Sequence, residues 1–148
     1  MKLLQNNTAY ITFINYINGH SICMLRIALA IVYIWFGGLK IIGTSPAEVL
    51  VTETVFWWKP EFFIPILGIC EVLIGLGLLI KKLIPFTILL LLMYMMVTFF
   101  PVFILKKTCF DLFPVVPTLV GQYIIKNIVL ITGALVVLSK FNTVKNRS

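Results

Sequence analysis

Residues 62–105 read FFIPILGICEVLIGLGLLI, then KK, then LIPFTILLLLMYMMVTFFPVFIL. Only Lys81 and Lys82 separate the apolar run 62–80 from the apolar run 83–105. A helix needs about 20 mainly apolar residues to cross the hydrocarbon core of a bilayer, and each run has that length. Two lysines leave room only for a tight turn, so the two runs are expected to form an antiparallel helical hairpin. Pro85 falls in the first turn of the second run, where a missing N–H costs little. Pro101, near its far end, is expected to kink or end the helix.

Working outward, the same criterion finds two more spans, at 22–42 and 119–138. The composition agrees, with 61% hydrophobic and 11% charged residues, against about 45–50% and about 25% in soluble domains. The expected fold class is all-α: an integral membrane four-helix bundle, one transmembrane domain over residues 1–148, with a short interfacial helix between the first and second spans. Residues 1–20 carry Tyr10, Phe13, Ile14 and Ile17 at helical spacing among Asn and Thr. They are expected either to lie on the membrane surface as an amphipathic helix or to form a flexible tail. They lack the clean apolar core of a cleavable signal peptide.

Residues 43–61 are too polar to cross. Ser45-Pro46-Ala47-Glu48 reads as a helix start, with Ser45 as cap, Pro46 at the first helical position and Glu48 at the third. The short helix is expected to lie across the mouth of the bundle, with Trp57 and Trp58 in the interfacial belt. The loop 106–118 holds Pro114 and Pro117 and is expected to be irregular.

The net charge of +7 comes from basic residues that flank the apolar runs rather than gather on a polar face. That distribution is a topology signal, not a nucleic-acid footprint. Lys2, Lys81, Lys82, Lys140, Lys145 and Arg147 fall on one side. Lys59, Lys106 and Lys107 fall on the other, diluted by Glu48, Glu53, Glu61 and Asp111. The positive-inside rule then places both termini in the cytoplasm. Cys23, Cys70 and Cys109 form no C-x-x-C pair, and His20 is the single histidine. An intrinsic dithiol, bis-histidine haem or conventional zinc site is therefore not expected. Met93, Met95 and Met96 read as helix packing.

Ionisable residues inside a span are costly and invite a reason. Arg26, Lys40, Glu71 and Lys126 are such residues. In the first span Arg26, Ala30, Tyr33, Gly37 and Lys40 share one helical face. In the second, Gly68, Glu71 and Gly75 do. In the third, Thr87, Tyr94, Thr98 and Pro101 do, and in the fourth Gln122, Lys126 and Gly133. All four stripes are expected to turn inward, where small residues let backbones approach and polar groups find partners. Two compatible readings follow. One is a buried Glu71–Lys126 pair that fixes helix register. The other is a polar pocket built from Lys40, Glu71, Lys126, Gln122 and Tyr33, suited to a quinone carbonyl, a lipid head group or another anion. Arg26 is expected at the inner face, against lipid phosphate or carbonyls. Tyr33, Trp35, Phe36, Trp57 and Trp58 read as interfacial or packing aromatics in preference to a wall for a flat ring.

Leu25-Arg26 followed by Trp35-Phe36-Gly37-Gly38-Leu39-Lys40 resembles the first helix of DoxX-like membrane proteins. Gly68-x-x-Glu71-x-x-x-Gly75-Leu76-Gly77-Leu78-Leu79 resembles their second helix, and Gly121-Gln122-Tyr123-x-x-Lys126-Asn127 the start of their last. The resemblance covers nearly the whole chain. It implies a bacterial or archaeal inner-membrane protein of a family associated with quinol oxidase and thiosulfate:quinone oxidoreductase activities. Relatives that pass electrons through cysteine pairs differ from this chain, which has no such pair. The expected function is a non-catalytic accessory subunit of a membrane redox or envelope complex, with a bound quinone or lipid as its only cofactor. Its expected partners are membrane lipids and other membrane subunits, and a homo-oligomer is allowed. A quinone-linked oxidoreductase subunit and a small transporter or lipid-handling protein are the alternatives.

Overall fold

A computed structural model describes residues 8–46, 48–55 and 59–145. Lys2, Trp57, Trp58 and Arg147, which entered the expectations above, lie outside the described residues. The chain is mostly helical, and among the described residues four stretches are long and apolar enough to cross a membrane: Thr8–Ile42, Pro60–Leu79, Lys81–Ile104 and Leu119–Phe141. The helices are α1 (Thr8–Ile42), α2 (Glu48–Thr54), α3 (Pro60–Leu79), α4 (Ile84–Thr98), α5 (Phe100–Ile104), α6 (Lys106–Cys109) and α7 (Leu119–Lys145). A two-stranded antiparallel hairpin, β1 (Phe110–Leu112) and β2 (Val116–Pro117), lies between α6 and α7.

Helix α1 has 35 residues and is about 52 Å long at 1.5 Å per residue. The stretch from Tyr10 to Ile17 is therefore no separate element, since it runs into the first span without a break. Nothing in 8–42 forces an interruption, because the segment has no proline and an interior glycine such as Gly19 costs only about 1 kcal/mol.

The expected helical hairpin is present. Helix α3 opens with Pro60 in its first turn and Glu61 beside it. It ends at a 3₁₀ turn, Lys81–Leu83, where the Ile80 N–H donates to the Gly77 carbonyl and the Leu83 N–H to that of Ile80. Pro101 interrupts the return helix. It cannot donate to the carbonyl four residues back, so α4 stops at Thr98 and α5 restarts at Phe100 with Pro101 in its first turn.

The loop 106–118 is ordered, not irregular. Phe110 pairs with Pro117 and Leu112 with Val116, and the Val115 N–H donates to the Leu112 carbonyl at 2.8 Å. The aromatic and β-branched residues between Phe110 and Val116 suit a pleated strand. Pro117 takes a strand end, where a missing donor is tolerated.

Most of the core is one cluster that joins all four long helices. Leu29, Ala30 and Tyr33 of α1 pack with Ile74 and Leu78 of α3, Ile88, Leu91 and Met95 of α4, and Ala134 and Val137 of α7. A second cluster, Cys109, Phe110 and Ile124 with Leu50 of α2 against it, closes the end of the bundle that carries the loops. This is the loop end below; the opposite end, at Lys81–Leu83, is the turn end. Outside the cores the long helices are apolar on their solvent faces too, with Trp35, Phe62, Phe86, Met96 and Val129 all exposed.

Candidate functional site

The site starts from glycines. A Cβ on Gly37 would stand 2.6 Å from the Gly68 carbonyl oxygen, and one on Gly75 2.8 Å from that of Ala30. Helices α1 and α3 thus touch backbone to backbone. The two contacts also fix an antiparallel register: Gly37 faces Gly68, and seven residues along, Ala30 faces Gly75. Small residues at this spacing permit the approach, which leaves neighbouring side chains little space.

In that register Lys40 stands six residues from Glu71, about 9 Å along the axis. Side chains lean toward the N-terminus of their own helix. The helices run in opposite directions, so Lys40 leans down and Glu71 leans up, and the two close the gap. The Lys40 Nζ donates to both Glu71 carboxylate oxygens at 2.6 Å. Tyr94 of α4 donates its hydroxyl to Glu71 Oε1, also at 2.6 Å. Lys40 is 8% exposed, Glu71 6%, Tyr94 8% and Tyr33 3%. Glu71 lies about 16 Å from the start of α3 and about 12 Å from its end, so the pair sits near the middle of that helix. Tyr33 is within electrostatic reach of Glu71, yet its buried hydroxyl has no hydrogen-bond partner among the described residues.

Three of the expected stripes face inward as anticipated. Ala30, Tyr33, Gly37 and Lys40 of α1, Gly68, Glu71 and Gly75 of α3, and Thr87 and Tyr94 of α4 are buried. The fourth is corrected. Gln122 and Lys126 are exposed, and Lys126 lies over the Tyr123 ring, 5.5 Å from its centroid. The buried face of α7 is instead Gly121, Ile124, Ala134 and Val137. Its phase is set by Gly121, which packs against the Cys109 carbonyl so closely that a Cβ could not fit. The Glu71–Lys126 pair is therefore not formed, and Lys40 is the partner of Glu71. Tyr94, on the expected stripe of α4 but outside the expected pocket, is the third member of the cluster. Its signal was the seven-residue spacing from Thr87 on the face that meets α3.

Among the described aromatic residues, Tyr33 is buried while Trp35 and Phe36 of the same helix are exposed, so these three share no face. Arg26 is half-buried and belongs to no part of the cluster. Cys23 is exposed, Cys70 half-buried and Cys109 buried. Burial pushes the Cys109 thiol above its ordinary value near 9.0. A surface cleft of about 560 Å³ runs along α2, lined by Ser45, Pro46, Glu48, Val49, Thr52 and Glu53, and includes no member of the cluster.

No protein-family model, curated protein or solved structure matches the chain.

Proposed function

We propose that this chain is a DoxX-like, multi-pass protein of a bacterial inner membrane, with both termini cytoplasmic. It serves as a non-catalytic accessory subunit of a membrane redox or envelope complex. The membrane part is supported by the exposed apolar faces of all four long helices, which a soluble protein would present as an aggregation surface. The non-catalytic part is carried by one observation: the Lys40–Glu71–Tyr94 cluster is closed on itself. A carboxylate already holding an ammonium and a phenol is a register lock between α1, α3 and α4. Beside the cluster, the buried Tyr33 hydroxyl has no hydrogen-bond partner among the described residues and is the group left to donate to a quinone carbonyl or a lipid ester.

The test is purification of the full chain in mild detergent, followed by identification of co-purifying subunits, quinones and phospholipids. Recovery with partner subunits and no quinol turnover by the chain alone is the expected result. Turnover of quinol by the isolated chain overturns the non-catalytic reading.

The short Tyr94–Glu71 hydrogen bond favours a second reading, a quinone-linked oxidoreductase subunit in which Glu71 moves a proton. Unchanged quinone-dependent activity in Glu71→Gln sinks that alternative.

A further inference from the structure

Arg26, like Lys126, is an in-span cation that the cluster does not use. Its Nε is buried with no hydrogen-bond partner among the described residues, and a buried unsatisfied donor calls for a ligand or a water. Arg26 shares the α1 face of Ala30 and Gly37, the face packed against α3. The same register that sets Ala30 against Gly75 sets Arg26 opposite Leu79, the last residue of α3. From there the general tilt of helical side chains directs it toward the N-terminus of α1, the direction of the turn that ends α3. Lys81 and Lys82 stand exposed in that turn.

Among the described residues no acidic side chain is paired with these three cations. The chain has five acidic residues, Glu48, Glu53, Glu61, Glu71 and Asp111. The nearest in register is Glu71, about 12 Å up the axis, and it already accepts from Lys40 and Tyr94. The negative end of the α3 dipole would attract cations here. An Arg26 that served only that dipole would still hydrogen-bond its carbonyls, and Nε meets none.

We propose that Arg26, with Lys81 and Lys82, forms a binding site for the phosphate group of an anionic phospholipid at the turn end of the bundle. A guanidinium presents a planar fork of donors that matches phosphate oxygens in pairs, and the two lysines add charge without fixed geometry. The choice of a lipid over a free phosphate comes from the surroundings. Ile27, Ile80 and Leu83 flank the three cations and are exposed, which provides a place for acyl chains directly beside the place for the head group. The proposal rests on the membrane reading above.

The experiment uses the full chain, extracted in mild detergent, delipidated, and titrated with phosphatidylglycerol, phosphatidylcholine and inorganic phosphate by native mass spectrometry. Wild type takes up phosphatidylglycerol in preference to phosphatidylcholine, and excess inorganic phosphate leaves that uptake unchanged. Arg26→Gln lowers the preference about five-fold, the scale of one basic residue at an anionic surface. Arg26→Lys retains part of it, and Lys81→Gln with Lys82→Gln lowers it independently should Arg26→Gln not fold. Equal preference in wild type, Arg26→Gln and the lysine variant overturns the proposal. Displacement of the lipid by inorganic phosphate also overturns it, by assigning the site to a free anion. An alkaline carbonate wash of reconstituted vesicles separates the two readings. Release of the protein defeats the membrane reading; retention with unaltered Arg26→Gln binding defeats only the lipid site.

Discussion

The Lys40 ammonium lies 2.6 Å from both carboxylate oxygens of Glu71, across a six-residue offset between two antiparallel helices. That offset is bridged because each side chain leans toward the other. The relationship makes the pair a gauge of register: sliding α1 by one turn against α3 would move the ammonium about 5 Å away and leave two charges buried alone.

Breaking the pair from one side is therefore expected to cost more than removing it. Lys40→Met alone should destabilise by about 3–5 kcal/mol, because Glu71 stays buried without its counter-charge. The double variant Lys40→Met with Glu71→Met should cost less than either single change. Denaturant or thermal unfolding in detergent measures all three, and simple additivity of the single costs would rule out a coupled pair.

The two buried phenols should behave oppositely. Tyr94→Phe removes a hydrogen bond to a charged acceptor and is expected to cost about 1.5–3 kcal/mol. Tyr33→Phe removes a hydroxyl with no protein partner and should be neutral or stabilising in the isolated protein. If Tyr33→Phe instead lowered the amount of a co-purifying quinone or lipid, that hydroxyl would be the contact to it.

Adjacent glycines offer a sharper contrast. At Gly37 a Cβ would meet the Gly68 backbone and the Glu71 and Val72 side chains, all within 3 Å, whereas at Gly38 nothing lies within 4 Å. Gly37→Ala should cost about 1–3 kcal/mol as overpacking. Gly38→Ala should be neutral or stabilise by up to about 1 kcal/mol through helix propensity. Melting temperatures of the two variants, measured side by side, settle the comparison.

Cys109 links stability to pH. Its thiol is raised by burial above the ordinary value near 9.0, so above that pH the unfolded chain has lost a proton that the folded chain keeps. The unfolded state then binds fewer protons, and stability falls as pH rises through about 9. Below that window this thiol makes no contribution to the slope. Cys109→Ala should flatten the alkaline decline in unfolding free energy. Alkylation of Cys109 by iodoacetamide at pH 8 should be slow in the folded protein and fast in denaturant.

Much of the fold was legible before any coordinates. Run length and the Lys81-Lys82 punctuation located the long helices and the α3–α4 hairpin, because a transmembrane length of apolar residues is a local property. Pro101 marked the break before α5 for an equally local reason, a missing donor. The stripes on α1, α3 and α4 were also legible, since an inward face must carry its small and polar residues at helical spacing. Local signals failed where an element's surroundings decide. The extension of α1 back to Thr8 depended on no more than the absence of a breaker, and the β1–β2 hairpin was hidden by Pro114 and Pro117, which lie within it.

By itself the sequence determined how many long apolar spans there are, roughly where each lies, and that Lys40 and Glu71 sit on inward faces. It could not choose which cation Glu71 would meet. Lys40 and Lys126 were both within plausible depth, and helical periodicity says nothing about how one helix is rotated against another. Only the tertiary structure decided it. Contact between Gly121 and the Cys109 carbonyl turns Lys126 outward, while the Gly37–Gly68 contact draws α1 against α3 and leaves Lys40 as the partner. Helix phase is a property of packing at a few close approaches, and those join residues far apart in the chain.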